Sequence, residues 1–108
     1  MTVNWAGILG QALKAAEHQL GGKWPLVRQS ATFQIQALVE SAAALEGKKG
    51  SLSPDEYELV KRIQTRALSG ILASYEAIGI VAAEQAAEAA WGVVAGALKT
   101  ATGLTFIV

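Results

Sequence analysis

The chain has 108 residues, 52% of them hydrophobic and only 17% charged, where soluble domains usually carry about 25% charged residues. Nine basic and nine acidic residues cancel, so there is no field to hold a phosphate backbone, and nucleic acid is not expected as a partner. The absence of cysteine rules out disulfides and thiolate metal sites.

Apolar residues recur at three-to-four-residue spacing among Ala, Leu and Glu, and no alternating strand pattern competes, so the expected fold class is all-α. The first helix is expected over 4–20. Asn4 serves as its N-cap, and Trp5, Leu9, Ala12, Leu13, Ala16 and Leu20 form its apolar stripe. Gly21 and Gly22 end it, because glycine takes the left-handed conformation at little cost. Pro25 suits the first turn of a second helix over 25–46. Its stripe is Val27, Ala31, Ile35, Leu38, Ala42 and Leu45, broadened by Leu26, Phe33 and Ala37. The Gly- and Lys-containing stretch "EGKKGSLSPDE" then permits a chain reversal, making the second and third helices antiparallel neighbours.

"SPDE" is the strongest local signal. Ser53 is an N-cap, Pro54 the first helical residue, Asp55 a first-turn acid and Glu56 the partner of a capping box. On a helical wheel Glu58, Arg62, Arg66, Glu76, Glu84, Glu88 and Lys99 share one sector about 140° wide. That phase predicts one long helix, or two nearly collinear ones, over 54–99, close to 70 Å in length at about 1.5 Å per residue. An apolar tail over 100–108 follows, either tucked into its own bundle or docked on a neighbour. The expected subunit is an antiparallel hairpin or three-helix unit with a long C-terminal helix, within a larger homo-oligomeric helical assembly.

Chemistry-bearing patterns are sparse. His18 beside Glu17 has no second histidine and no Glu-x-x-His spacing to make a metal site, so it reads as a surface or interface imidazole. Glu76, Glu84 and Glu88 share their sector with Arg62 and Arg66, which points to a solvated or salt-bridged stripe rather than a general acid and base. Phosphate-loop, nucleophile-elbow and dinucleotide patterns are missing. Neither an enzymatic activity, a cofactor nor a small-molecule substrate is expected.

The segment "EQAAEAAWGVVAGAL" raises the question of a membrane, since Gly92 and Gly96 form GxxxG and Ala82, Ala86 and Ala90 continue the small-residue spacing. Any window of about 20 residues here contains a Glu or reaches Lys99, which disfavours a span. Ile80, Trp91, Val94 and Leu98 fall within or beside the acidic sector, so this helix becomes apolar nearly all round and calls for burial in a larger body. The expected self-association interface is Ala82, Ala86, Ala90, Trp91, Gly92, Val94, Gly96, Leu98, Phe106, Ile107 and Val108, with further copies of the chain as the partner. In size and in alanine and glycine richness the chain resembles small bacterial or phage-encoded helical structural proteins, such as virion coat or tail components. The apolar C-terminal helix and the missing chemistry together lead to the expectation of a non-enzymatic, self-assembling ring, tube or filament subunit. A membrane-active, holin-like oligomer and a helical adaptor for one protein partner are the alternatives. The opening residues lack the basic and long apolar regions of a signal peptide, so cytoplasmic synthesis is expected, with later incorporation into a particle or membrane left open.

Overall fold

In the computed structural model, which describes residues 3–108, helix α1 spans Trp5–Leu20, a 3₁₀ turn covers Gly21–Lys23, α2 spans Trp24–Gly47, α3 Pro54–Ala73 and α4 Ile80–Thr102. No strand occurs among the described residues. The all-α expectation holds, and the local signals act as read. The Asn4 side chain accepts from the Gly7 N–H at 3.1 Å, and Gly21 ends α1 at φ 57°. At α3 the Ser53 hydroxyl accepts from the Glu56 N–H at 3.1 Å. The other half of the capping box does not form, because the Glu56 carboxylate pairs with Lys48 across the α2–α3 loop. That is the one ion pair among the described residues, so the i,i+4 neighbours Glu58 and Arg62 are not bridged.

The helices run up, down, up, down. The Trp5 indole N–H donates to Glu46 at 2.9 Å, joining the start of α1 to the end of α2, and Gln34 donates to Gln64 at 3.3 Å midway along the α2–α3 pair. The α1–α4 contact is the most extensive in the fold. Both helices bury alanines, Ala12 and Ala16 on α1 and Ala83, Ala86, Ala87 and Ala90 on α4, and small side chains let helix axes approach. α2 and α4 also touch across the bundle, so the cross-section is flattened, with extents of 42 × 25 × 18 Å.

The long helix expected over 54–99 is corrected to two antiparallel helices, which makes four α-helices among the described residues rather than three. The break lies at Ser74–Gly79. The Ser74 hydroxyl donates back to the Ile71 carbonyl at 2.6 Å, a local bond that competes with continued helix. Ile78 is buried, the Tyr75 hydroxyl meets the Ser30 hydroxyl at 2.7 Å, and Gly79 enters α4 from extended backbone at ψ 155°. These anchors turn the chain through a six-residue connection, an ordinary length between antiparallel helices. The wheel phase does not in fact run through. The buried face of α4, centred on Ala83, Ala87, Ala90 and Val94, is turned by about 60° from that of α3, centred on Tyr57, Leu68 and Leu72. Folding back covers by intramolecular contact what a helix of about 70 Å would leave bare.

α4 ends at Gly103, whose φ of 72° places it in the left-handed region, with its N–H bonded to the Lys99 carbonyl at 2.8 Å. The tail then returns over the bundle. Ile107 is fully buried and Phe106 packs against the core, so of the two placements read from the sequence the tail adopts the intramolecular one.

Candidate association surface

The residues expected to meet another subunit divide into three groups. Ala86, Ala90, Trp91, Val94, Leu98 and Ile107 are buried by the chain itself, and Ala82 and Phe106 are half-buried. Gly92, Gly96 and Val108 are exposed. A Cβ added at Gly92 or Gly96 would meet nothing within 4 Å, so within one chain neither glycine marks a close helix contact.

Trp91 is the clearest case. Its indole N–H donates to the Tyr57 hydroxyl at 3.0 Å, and that hydroxyl donates to the Val108 backbone oxygen, also at 3.0 Å. Tyr57 stacks obliquely on Trp91, with ring centroids 5.9 Å apart, and meets Phe106 edge-on at 6.2 Å. This chain of donors links α4, α3 and the tail, and Lys61 adds a bond to the same Val108 oxygen at 3.2 Å. Burial raises the Tyr57 phenol above its ordinary pKa, the Glu58 charge adds to the rise, and the bonds to Trp91 and Val108 oppose it. Two aromatic rings with a hydrogen-bonding handle are thus spent on holding the monomer together.

The acidic residues of α4 behave as a solvated stripe. Glu84 and Glu88 line an open groove of about 220 Å³ with Arg66, Thr65 and Ser69 across the α3–α4 seam, and no ion pair closes it. His18 is exposed in the last turn of α1, beside Lys14 and Glu17. No group of three or more His, Asp or Glu side chains among the described residues is arranged to hold a metal ion, and no described helix is long and apolar enough to cross a membrane.

Large apolar side chains remain exposed elsewhere. Leu26 and Phe33 on α2 and Leu59 and Ile63 on α3 are 59%, 79%, 47% and 53% exposed. Because Gln34 faces Gln64 and the two helices are antiparallel, the preceding residues, Phe33 and Ile63, point to the same outer side of the hairpin. Leu26 lies two turns from Phe33 and Leu59 one turn from Ile63, so the four form a strip along the hairpin, with half-buried Ala37, Val60 and Ala67 beneath it. Leu26 and Phe33 therefore do not broaden the buried stripe of α2 as expected. Flanked by Pro25, Arg28, Gln29 and Gln36, Phe33 belongs to the outer face. A signal for the strip was present: Leu59 and Ile63 fall in the same wheel sector as Glu58, Arg62 and Arg66, where a plain surface helix carries polar residues.

A smaller apolar pair, Ile80 and Val81, is exposed at the start of α4. The chain matches no model of a known protein family, no curated protein and no solved structure.

Proposed function

We propose that this chain is a non-enzymatic structural protein that assembles with copies of itself, as a subunit of a ring, tube or filament in a phage particle or a bacterial structure. The observation that supports this reading is the strip of Leu26, Phe33, Leu59 and Ile63, four large apolar side chains on one outer face of a bundle that already has a filled core. An exposed contiguous apolar face on a small domain marks an interaction surface. Covering the exposed parts of these side chains on two copies is worth roughly 8–12 kcal/mol, comparable with the roughly 4–15 kcal/mol that association costs. Association is therefore concentration-dependent, and polar contacts around the strip decide its strength.

The test is sedimentation velocity with negative-stain microscopy across a range of concentrations, with and without liposomes, on the native chain and on Phe33→Ser/Ile63→Ser. Particles larger than a monomer should form without lipid and be lost in the variant, while helical circular dichroism is retained. A monodisperse monomer at every concentration, indifferent to lipid, refutes the reading. Partitioning into liposomes in place of self-association favours the membrane-active alternative, and a monomer that binds only a different protein favours the adaptor.

A further inference from the structure

We infer that the occupant of the α2–α3 strip is a second copy of this chain, docked across a two-fold axis with α3 antiparallel to α3 of the other copy. The inference rests on the reading above that the chain self-associates, and it specifies the contact. Leu59 and Ile63 lie at the middle of the outer face of α3, and Phe33 on α2 is level with Ile63 and extends the apolar surface sideways. Around them the charges are ordered by sign: Asp55 and Glu58 precede the apolar pair, and Arg62 and Arg66 follow or interleave with it. All four are exposed, and none is engaged in an ion pair within the described residues. Arg66 borders Glu84 and Glu88 across the α3–α4 groove without reaching either.

Such an ordering is self-complementary in one orientation only. A parallel copy sets acid on acid and base on base, at an energetic cost. Turning the second copy about a two-fold axis between Leu59 and Ile63 sets Leu59 of each against Ile63 of the other. It also brings Asp55 and Glu58 of each copy to the level of Arg66 and Arg62 of its partner. Symmetry makes every such contact twice, the property of an isologous interface. A wholly acidic or wholly basic peptide matches only half of this face, and an anionic membrane surface is repelled by the acidic half.

The experiment uses two variants of the full chain, Asp55→Lys/Glu58→Lys, with an all-basic α3 face, and Arg62→Glu/Arg66→Glu, with an all-acidic one. By sedimentation equilibrium each variant alone should show a dissociation constant raised at least tenfold. An equimolar mixture should form a heterodimer at least as tight as the native pair and weakened by salt. In parallel, the cysteine-free chain permits disulfide trapping. Arg62→Cys, next to the axis, should cross-link to itself on oxidation, whereas Asp55→Cys should not, since its symmetry mate is about 18 Å away along the helix. If the native chain self-associates but the two charge variants associate as it does, or their mixture gains nothing, the two-fold contact is overturned while self-assembly stands. Equal cross-linking at positions 62 and 55 also overturns it, including where a charge variant fails to fold. A native chain that is monomeric throughout overturns both.

Discussion

Replacing Tyr57 with phenylalanine removes one oxygen atom and tests whether Trp91 belongs to the core of the subunit or to a subunit interface. The Tyr57 hydroxyl accepts from the Trp91 indole at 3.0 Å and donates to the Val108 oxygen at 3.0 Å. Trp91 is 1% exposed and Tyr57 fully buried, so in the folded chain the indole N–H is satisfied by the Tyr57 hydroxyl and not by bulk water. Stranding a buried indole N–H costs about 1–3 kcal/mol, and the Val108 oxygen loses one of its two hydrogen bonds, the other being that from Lys61. The Phe ring keeps its stacking against Trp91 and Phe106, so no cavity term enters. A loss of about 2 kcal/mol is expected, which lowers Tm by roughly 8–10 °C in a domain of this size. Urea unfolding followed by Trp fluorescence and near-ultraviolet circular dichroism at low protein concentration measures it. A second variant, Trp91→Phe, and the double variant complete the cycle, and a coupling energy above about 0.5 kcal/mol is expected for groups in direct contact. A Tm within 2 °C of the native value, or zero coupling, refutes the buried donor chain and returns Trp91 to the surface.

The raised Tyr57 pKa carries a pH dependence of known sign. The folded state holds the phenol proton to higher pH than the unfolded chain, so stability is unaffected below the unfolded value of about 10 and falls as pH rises through the folded value. Urea melts between pH 8 and 11.5 should show a steeper alkaline loss for the native chain than for Tyr57→Phe. Identical slopes would contradict the assignment. Ser53→Ala removes the acceptor for the Glu56 N–H at the start of α3 and should cost about 1 kcal/mol, read as a shift in urea midpoint at unchanged slope. Gly92→Ala and Gly96→Ala, which meet nothing within one chain, should each stabilise the monomer by roughly 1 kcal/mol through helix propensity. Destabilisation appearing only where the chain is assembled would restore GxxxG as a contact.

Much of the fold was legible because it is written in local chemistry. Asn4, Gly21, Pro25 and Ser53 act within a few residues of themselves, and α1, α2 and the start of α3 follow from them. The turn at Ser74–Gly79 was not legible in the same way. It has no proline, and what holds it is tertiary: Ile78 in the core and Tyr75 on Ser30. A wheel carried across it returns a plausible stripe by accident, since α4 restarts at a different rotation. That wheel puts Trp91, Val94 and Leu98 on the polar side, whereas in α4 they are buried and the stripe of Glu84 and Glu88 lies beside them. Six residues of the expected interface, Trp91 among them, are internal to the chain for the same reason. Residues that look surplus to a straight helix are the core of a folded one, while of the exposed residues Phe33 was absorbed into the stripe of α2 and Ile63 lay in the polar sector of α3 without being singled out.

The low charge content therefore has to be explained by fewer residues than the composition suggested. Alanine-lined packing of α4 on α1 covers the Ala-rich segment, and among the described residues the large exposed apolar side chains narrow to the α2–α3 strip, Ile80 with Val81, and Val108 at the tail. The first two have different consequences for assembly. An isologous contact through α3 closes on itself and stops at a pair. Growth into a ring or filament needs a second contact outside that strip, and Ile80 and Val81, 69% and 67% exposed, are the large apolar pair available for it. Ile80→Ser/Val81→Ser should then leave dimers that no longer grow, whereas Phe33→Ser/Ile63→Ser should leave none, with sedimentation velocity separating the two. If Ile80→Ser/Val81→Ser leaves the size distribution of the native chain unchanged, growth beyond the pair does not pass through the start of α4. The exposed Gly92–Gly96 face, flat and bordered by Glu88, then becomes the next surface to alter.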